Sequence, residues 1–132
     1  MMIIDGVEIN SLLKALNKFE IFRQNLNTEQ DKAGAIQAFE YSYELLWKTM
    51  KRLLAVRGII VNSPKETIRL SALEGLLDDP EIWFDFIKKR NITTHTYDEQ
   101  DIEIVLAILP SFSKESQLFL QKIGANEVNN RR

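Results

Sequence analysis

Ile36, Phe39, Tyr43, Leu46, Met50 and Leu53 recur at intervals of three, four, three, four and three. That is the period of one face of an α-helix, and Trp47 and Leu54 widen the stripe. Thr28 with Asp31 three residues on resembles a capping box, with Asp in place of the usual Glu. Glu29 and Asp31 open the segment, Lys51, Arg52 and Arg57 close it, and Gly58 fits the C′ position. At about 1.5 Å per residue the helix is roughly 40 Å long, which suits a bundle.

The rest of the chain repeats the pattern. Ile9, Leu12, Leu16, Phe19, Arg23 and Leu26 share a face, so a first helix is expected over about residues 8–26, with Leu13 and Phe22 beside the stripe. Ser63-Pro64-Lys65-Glu66 reads as N-cap, first helical residue and box-closing glutamate, with Ile68, Ala72, Leu73, Leu76 and Leu77 turned inward. Asp79-Pro80-Glu81 opens a fourth helix, carrying Ile82, Trp83, Phe84, Phe86 and Ile87 and fading past Arg90. Asp98 caps a fifth with Asp101 at its third position. Ile102, Val105, Ile108, Leu109, Phe112, Phe119 and Ile123 line it, Gly124 ends it, and Pro110 should kink or split it. Only five Gly and three Pro occur, and no alternating strand pattern stands between turn residues. The expectation is an all-α, antiparallel up-and-down bundle of four or five helices. It forms one domain over 1–132, with a core at about 8–123 and a polar, flexible tail at 124–132.

Composition removes several chemistries. There is no cysteine, so disulfides, thiolate metal sites and cysteine nucleophiles are out, and one histidine leaves no multi-histidine metal site within a chain. Seventeen basic against nineteen acidic residues give a net charge of -2, which excludes binding nucleic acid by bulk charge. No apolar run reaches the roughly 18 residues of a membrane span, and the start lacks the basic and apolar regions of a secretory signal. A cytoplasmic protein with no cofactor and no metal is expected. No P-loop is present, and no Gly-Ser pair of the kind that opens a nucleotidyltransferase site. Asp79, adjacent to Asp78, is read as an N-cap rather than a metal ligand.

One segment concentrates polar chemistry: Lys88-Lys89-Arg90-Asn91-Ile92-Thr93-Thr94-His95-Thr96-Tyr97-Asp98-Glu99. Its bland reading is a helix end, with Lys88, Lys89 and Arg90 complementing the dipole and His95 in solvent. Its functional reading is phosphodiester cleavage without a metal. A ribose 2′-hydroxyl attacks its own phosphate, which needs a base, an acid and a cation for the growing charge. Histidine titrates near neutrality, and the arginine fork matches phosphate oxygens. On a straight helix Arg90 and His95 would lie about 140° apart. They converge only if the helix ends between them or if the site spans two chains. Two histidines in one site require a second chain, which a two-fold dimer supplies. Glu40, Glu44 and Lys48 share a face of the second helix, either as a solvated ion-pair ladder or as the border of a cleft near His95. Tyr43 and Trp47 lie on the apolar stripe and are expected in the core.

Arg90-Asn91-x-x-x-His95-x-Tyr97 resembles the Arg-x4-His motif of HEPN domains, in the form with a tyrosine two residues after the histidine. Phe39-Glu40-Tyr41-Ser42-Tyr43-Glu44-Leu45-Leu46-Trp47-Lys48 and Ser63-Pro64-Lys65-Glu66 are similar to the HEPN subfamily known as nucleotidyltransferase substrate-binding proteins. The likeness covers about residues 8–122. It implies a helical bundle, a homodimer, and a separately encoded minimal nucleotidyltransferase as partner. In related pairs the HEPN protein is a ribonuclease toxin, silenced by AMP transfer to the motif tyrosine, here Tyr97. The resemblance makes Arg90 and His95 the catalytic pair, with Asn91, Tyr97, Lys89, Glu40 and Lys48 supporting or binding. RNA or a nucleotide is the implied ligand. The older family label implies an alternative, a non-catalytic subunit that presents substrate to the partner. Given the net charge, RNA binding is expected to be local to Lys88, Lys89, Arg90 and their dimer mates, and salt-sensitive.

Overall fold

In a computed structural model that describes residues 2–94 and 98–125, the described residues form five helices and one short hairpin. The helices are α1 (Asn10–Arg23), α2 (Glu29–Val56), α3 (Pro64–Leu73), α4 (Pro80–Ile92) and α5 (Glu99–Lys122). Short links join them into an all-α bundle in which α2 packs against each of the other four.

The caps follow the sequence. Thr28 and Asp31 form a full capping box on α2, and Asp98 and Asp101 form another on α5. Asp79 caps α4 through the Glu81 N–H. On α3 the Ser63 hydroxyl accepts from the Glu66 N–H, but the Glu66 carboxylate accepts from the Asn62 N–H rather than closing the box on Ser63. Gly58, at φ +81°, takes the left-handed C′ position after α2, where a side chain would be strained.

Three expectations need correction, and a fourth, kink or split at Pro110, narrows. Residues 3–8 form an antiparallel hairpin, β1 (Ile3–Ile4) with β2 (Val7–Glu8), across an Asp5-Gly6 turn with positive φ at both positions. This is the backbone such two-residue loops favour. Second, α1 runs from Asn10 to Arg23, shorter than 8–26, because the hairpin occupies its start and Leu26 packs on the core from the following link. Third, Leu73 ends α3 and is 76% exposed, while Leu76 and Leu77 reach the core from the link beyond it. Fourth, α5 is not split: it continues through Pro110, with buried Leu109 and Phe112 holding the segment on either side.

An aromatic cluster fixes where α4 sits. Phe112 of α5 meets Phe19 of α1, Phe39 of α2 and Phe86 of α4 edge-on, at centroid distances of 5.1, 4.9 and 5.2 Å. Such pairs add about 0.5–1.5 kcal/mol each beyond their buried area. Phe86 is one turn before Arg90, so clamping its ring inward turns Arg90 toward the same side of α4.

Candidate functional site

Arg90 lies where α4 crosses α2. Its Nε is 3.8 Å from Glu44 Oε1, and the side chain is 24% exposed. That Nε is enclosed and has no hydrogen-bond acceptor among the described residues. The other carboxylate oxygen, Glu44 Oε2, accepts from the Trp47 indole N–H at 3.2 Å and lies 3.8 Å from Lys48 Nζ. One carboxylate on α2 therefore faces an arginine, a lysine and an indole.

One turn earlier on α2, Glu40 reaches the end of α4. Its Oε2 is 2.8 Å from Thr93 Oγ1, which is also 2.7 Å from the Arg90 carbonyl oxygen. The hydroxyl has one proton and donates to one of these at a time. Thr93 is the C-cap of α4, and its N–H donates to the Arg90 carbonyl. The Glu40–Thr93 contact thus ties down the point where α4 stops. α4 ends at Ile92, and Thr93 and Thr94 form a turn beyond it. His95 and Tyr97 themselves lie outside the described residues.

The remaining motif residues divide. Asn91 is exposed on the last turn of α4. Lys89 pairs with Asp85 along its own helix at 2.8 Å, so that cation is already engaged on α4. Lys48 is exposed and, among the described residues, meets the site through Glu44. Tyr43, 2% exposed, is in the core as expected, yet its hydroxyl has no partner among the described residues. Burial pushes its phenol well above the usual range; Glu44 adds to the shift and Arg90 opposes it. Tyr43 is therefore a neutral neighbour of the pair and does not compete with Glu44 for the arginine. Sequence reasoning passed over Thr93 as a site residue. It left Glu44 undecided between ladder and cleft. Spacing against Lys48 favoured the ladder, and only the fold reveals Arg90 across from it.

A groove of about 890 Å³ lies between the first turns of α2 and α5, beside Asp98. Glu29, Glu99 and Glu103 line it around Ala33 and Ile102, with Lys32 already paired to Glu103 at 3.4 Å. Its acidic lining is the wrong sign for a phosphate.

The five-helix bundle, with a half-buried arginine on the last turn of α4, fits a HEPN-type helical domain. The match to known proteins is specific. Residues 7–125 fit the family described as nucleotidyltransferase substrate binding protein like, and the chain belongs to that family. A Haemophilus influenzae protein named probable ribonuclease HepT is 38% identical over 96 residues, 69% of this chain. The match spans 66% of that protein's length, just under two-thirds. A crystal structure from Thermus thermophilus superposes with TM-score 0.79 at 28% identity, covering 85% of this chain and 98% of the other. A second structure, from Haemophilus influenzae, is described as revealing the fold of a substrate binding domain of a nucleotidyltransferase. It superposes with TM-score 0.76 at 31% identity, covering 88% and 98%. Among the described residues, no helix is long and apolar enough to cross a membrane.

Proposed function

We propose that the protein is a HEPN-type ribonuclease toxin that cuts RNA without a metal ion and is silenced by a separately encoded minimal nucleotidyltransferase. The observation that carries this reading is the setting of Arg90. It is a partly exposed guanidinium on the last turn of α4, backed by Glu44, directly before the segment holding the only histidine. The name of the Haemophilus influenzae relative, a probable ribonuclease, supports it.

Arg90 holds the scissile phosphate and offsets the charge that grows on its oxygens. A His95 imidazole takes the proton from the ribose 2′-hydroxyl. The 2′-oxygen attacks phosphorus, the 5′-oxygen leaves, and the His95 of a second protomer protonates it. The products are a 2′,3′-cyclic phosphate and a 5′-hydroxyl. Asn91 supports the site as a polar neighbour, and Tyr97 helps to position RNA. A two-fold homodimer in the cytoplasm brings the two motifs together. In the silenced form the Tyr97 hydroxyl attacks the α-phosphorus of ATP and pyrophosphate leaves, so AMP occupies the cleft.

A second reading, a non-catalytic substrate- or nucleotide-binding subunit, is favoured by the family's description and by that of the second solved structure. Mass spectrometry of the protein co-expressed with the nucleotidyltransferase encoded beside it separates the two. AMP on Tyr97 supports the toxin reading. An unmodified protein that still co-purifies with the partner supports the binding subunit. Metal-free RNA cleavage lost in His95→Ala tests the nuclease itself.

A further inference from the structure

Glu44 does more than complete an ion-pair ladder. Its carboxylate is held from one side by the Trp47 indole N–H and faces the enclosed Nε edge of Arg90 on the other. A guanidinium is planar, so a carboxylate paired with its Nε edge also biases where its terminal fork points. Glu44 meets that Nε as an ion pair at 3.8 Å; no described residue hydrogen-bonds it, and the neighbouring Tyr43 hydroxyl, also without a partner among the described residues, cannot replace the countercharge. The Glu44–Lys48 contact at 3.8 Å, with its lysine in solvent, is of the kind that contributes little.

Resting on the reading of Arg90 as the phosphate-holding residue, we propose that Glu44 is the positioning residue of the site. It sets the direction of the Arg90 guanidinium without touching the substrate. Glu40 acts one turn away on the backbone, through Thr93, so the two acids of α2 hold the motif's arginine and its helix end separately.

The test uses Glu44→Gln in the full-length protein, because Gln keeps the shape and the acceptor for Trp47 while removing the charge. Glu74→Gln, which breaks the unrelated Arg57–Glu74 pair at 3.1 Å, is the control. Two quantities are read: steady-state cleavage of a short RNA, and the Arg90 Nε–H resonance by nitrogen-15 NMR. The expected result is a kcat at least tenfold lower with KM within threefold, together with a shifted, faster-exchanging Arg90 Nε–H signal. Glu74→Gln should change neither. A Glu44→Gln protein with wild-type kcat, or with an unmoved Arg90 resonance, overturns the assignment. So does an equal loss in the control. Absence of cleavage by the wild-type protein would defeat the nuclease reading alone. The NMR arm still decides Glu44 in that case, a shifted Arg90 signal supporting its role and an unmoved one overturning it.

Discussion

At the scale of single residues, burial decides which charges matter. Glu115 on α5 is only 8% exposed, and its carboxyl is raised above the usual range by burial, with Asp78 and Asp79 adding and Lys114 opposing. A raised carboxyl makes the folded state bind protons more tightly than the unfolded chain. Its contribution is therefore most favourable below the unfolded pKa and is lost as pH rises through the folded one. Glu115→Gln is expected to raise the thermal midpoint at pH 7 by about 1–3 °C, with the gain vanishing below about pH 4, where both side chains are neutral. Differential scanning fluorimetry across that pH range checks it. Glu20 behaves oppositely. Burial alone would raise its carboxyl, but hydrogen bonds from Arg23 and Ser113 with the Arg23 charge bring it below the usual range. That stabilisation is present above the unfolded pKa and fades as pH falls through the folded value.

The same scale shows what the sequence concealed. Arg90 was singled out because the motif names it, and Tyr43 was legible as core from its place on the apolar stripe. Glu44 and Thr93 were not legible as site residues. Their partners lie on other helices, and no local spacing reports a contact between residues so far apart in the chain.

At the scale of elements, caps were the most legible feature. Thr28, Ser63, Asp79 and Asp98 each accept from an N–H of the first turn they precede, because hydrogen bonding there is local. The hairpin escaped notice because strands of two residues are too short to show alternation. The ends of α1 and α3 were overextended because Leu26 and Leu76 stay in phase with a helix that has already stopped. Pro110 is exposed and α5 runs through it, so the helix bears the cost of a missing N–H. Pro110→Ala is expected to stabilise the protein by about 1–3 kcal/mol in urea unfolding. Asp98→Ala removes the acceptor for the Asp101 N–H at the start of α5 and is expected to cost about 1 kcal/mol in the same measurement.

At the scale of the whole molecule, the aromatic cluster connects stability to the site. Phe112 joins α1, α2 and α4 from α5, so truncating it loosens the seating of α4 that turns Arg90 toward α2. Phe112→Ala is expected to cost about 3–5 kcal/mol, read from the denaturant midpoint. Charge works at the same scale. The acidic groove between α2 and α5 and the net charge of -2 both disfavour a phosphate, so the proposed function confines RNA to the Arg90 face. Binding there should weaken steeply with salt.

The most direct test of the proposed nuclease is the chemistry of its products. Purified protein is incubated with a short RNA in the presence of a chelator, and the new ends are identified by mass spectrometry. The expected result is 2′,3′-cyclic phosphate and 5′-hydroxyl ends, none from an RNA with a 2′-O-methyl at the cut site, and none from the His95→Ala protein. Intact RNA, 3′-hydroxyl products, or equal cleavage by His95→Ala would contradict it.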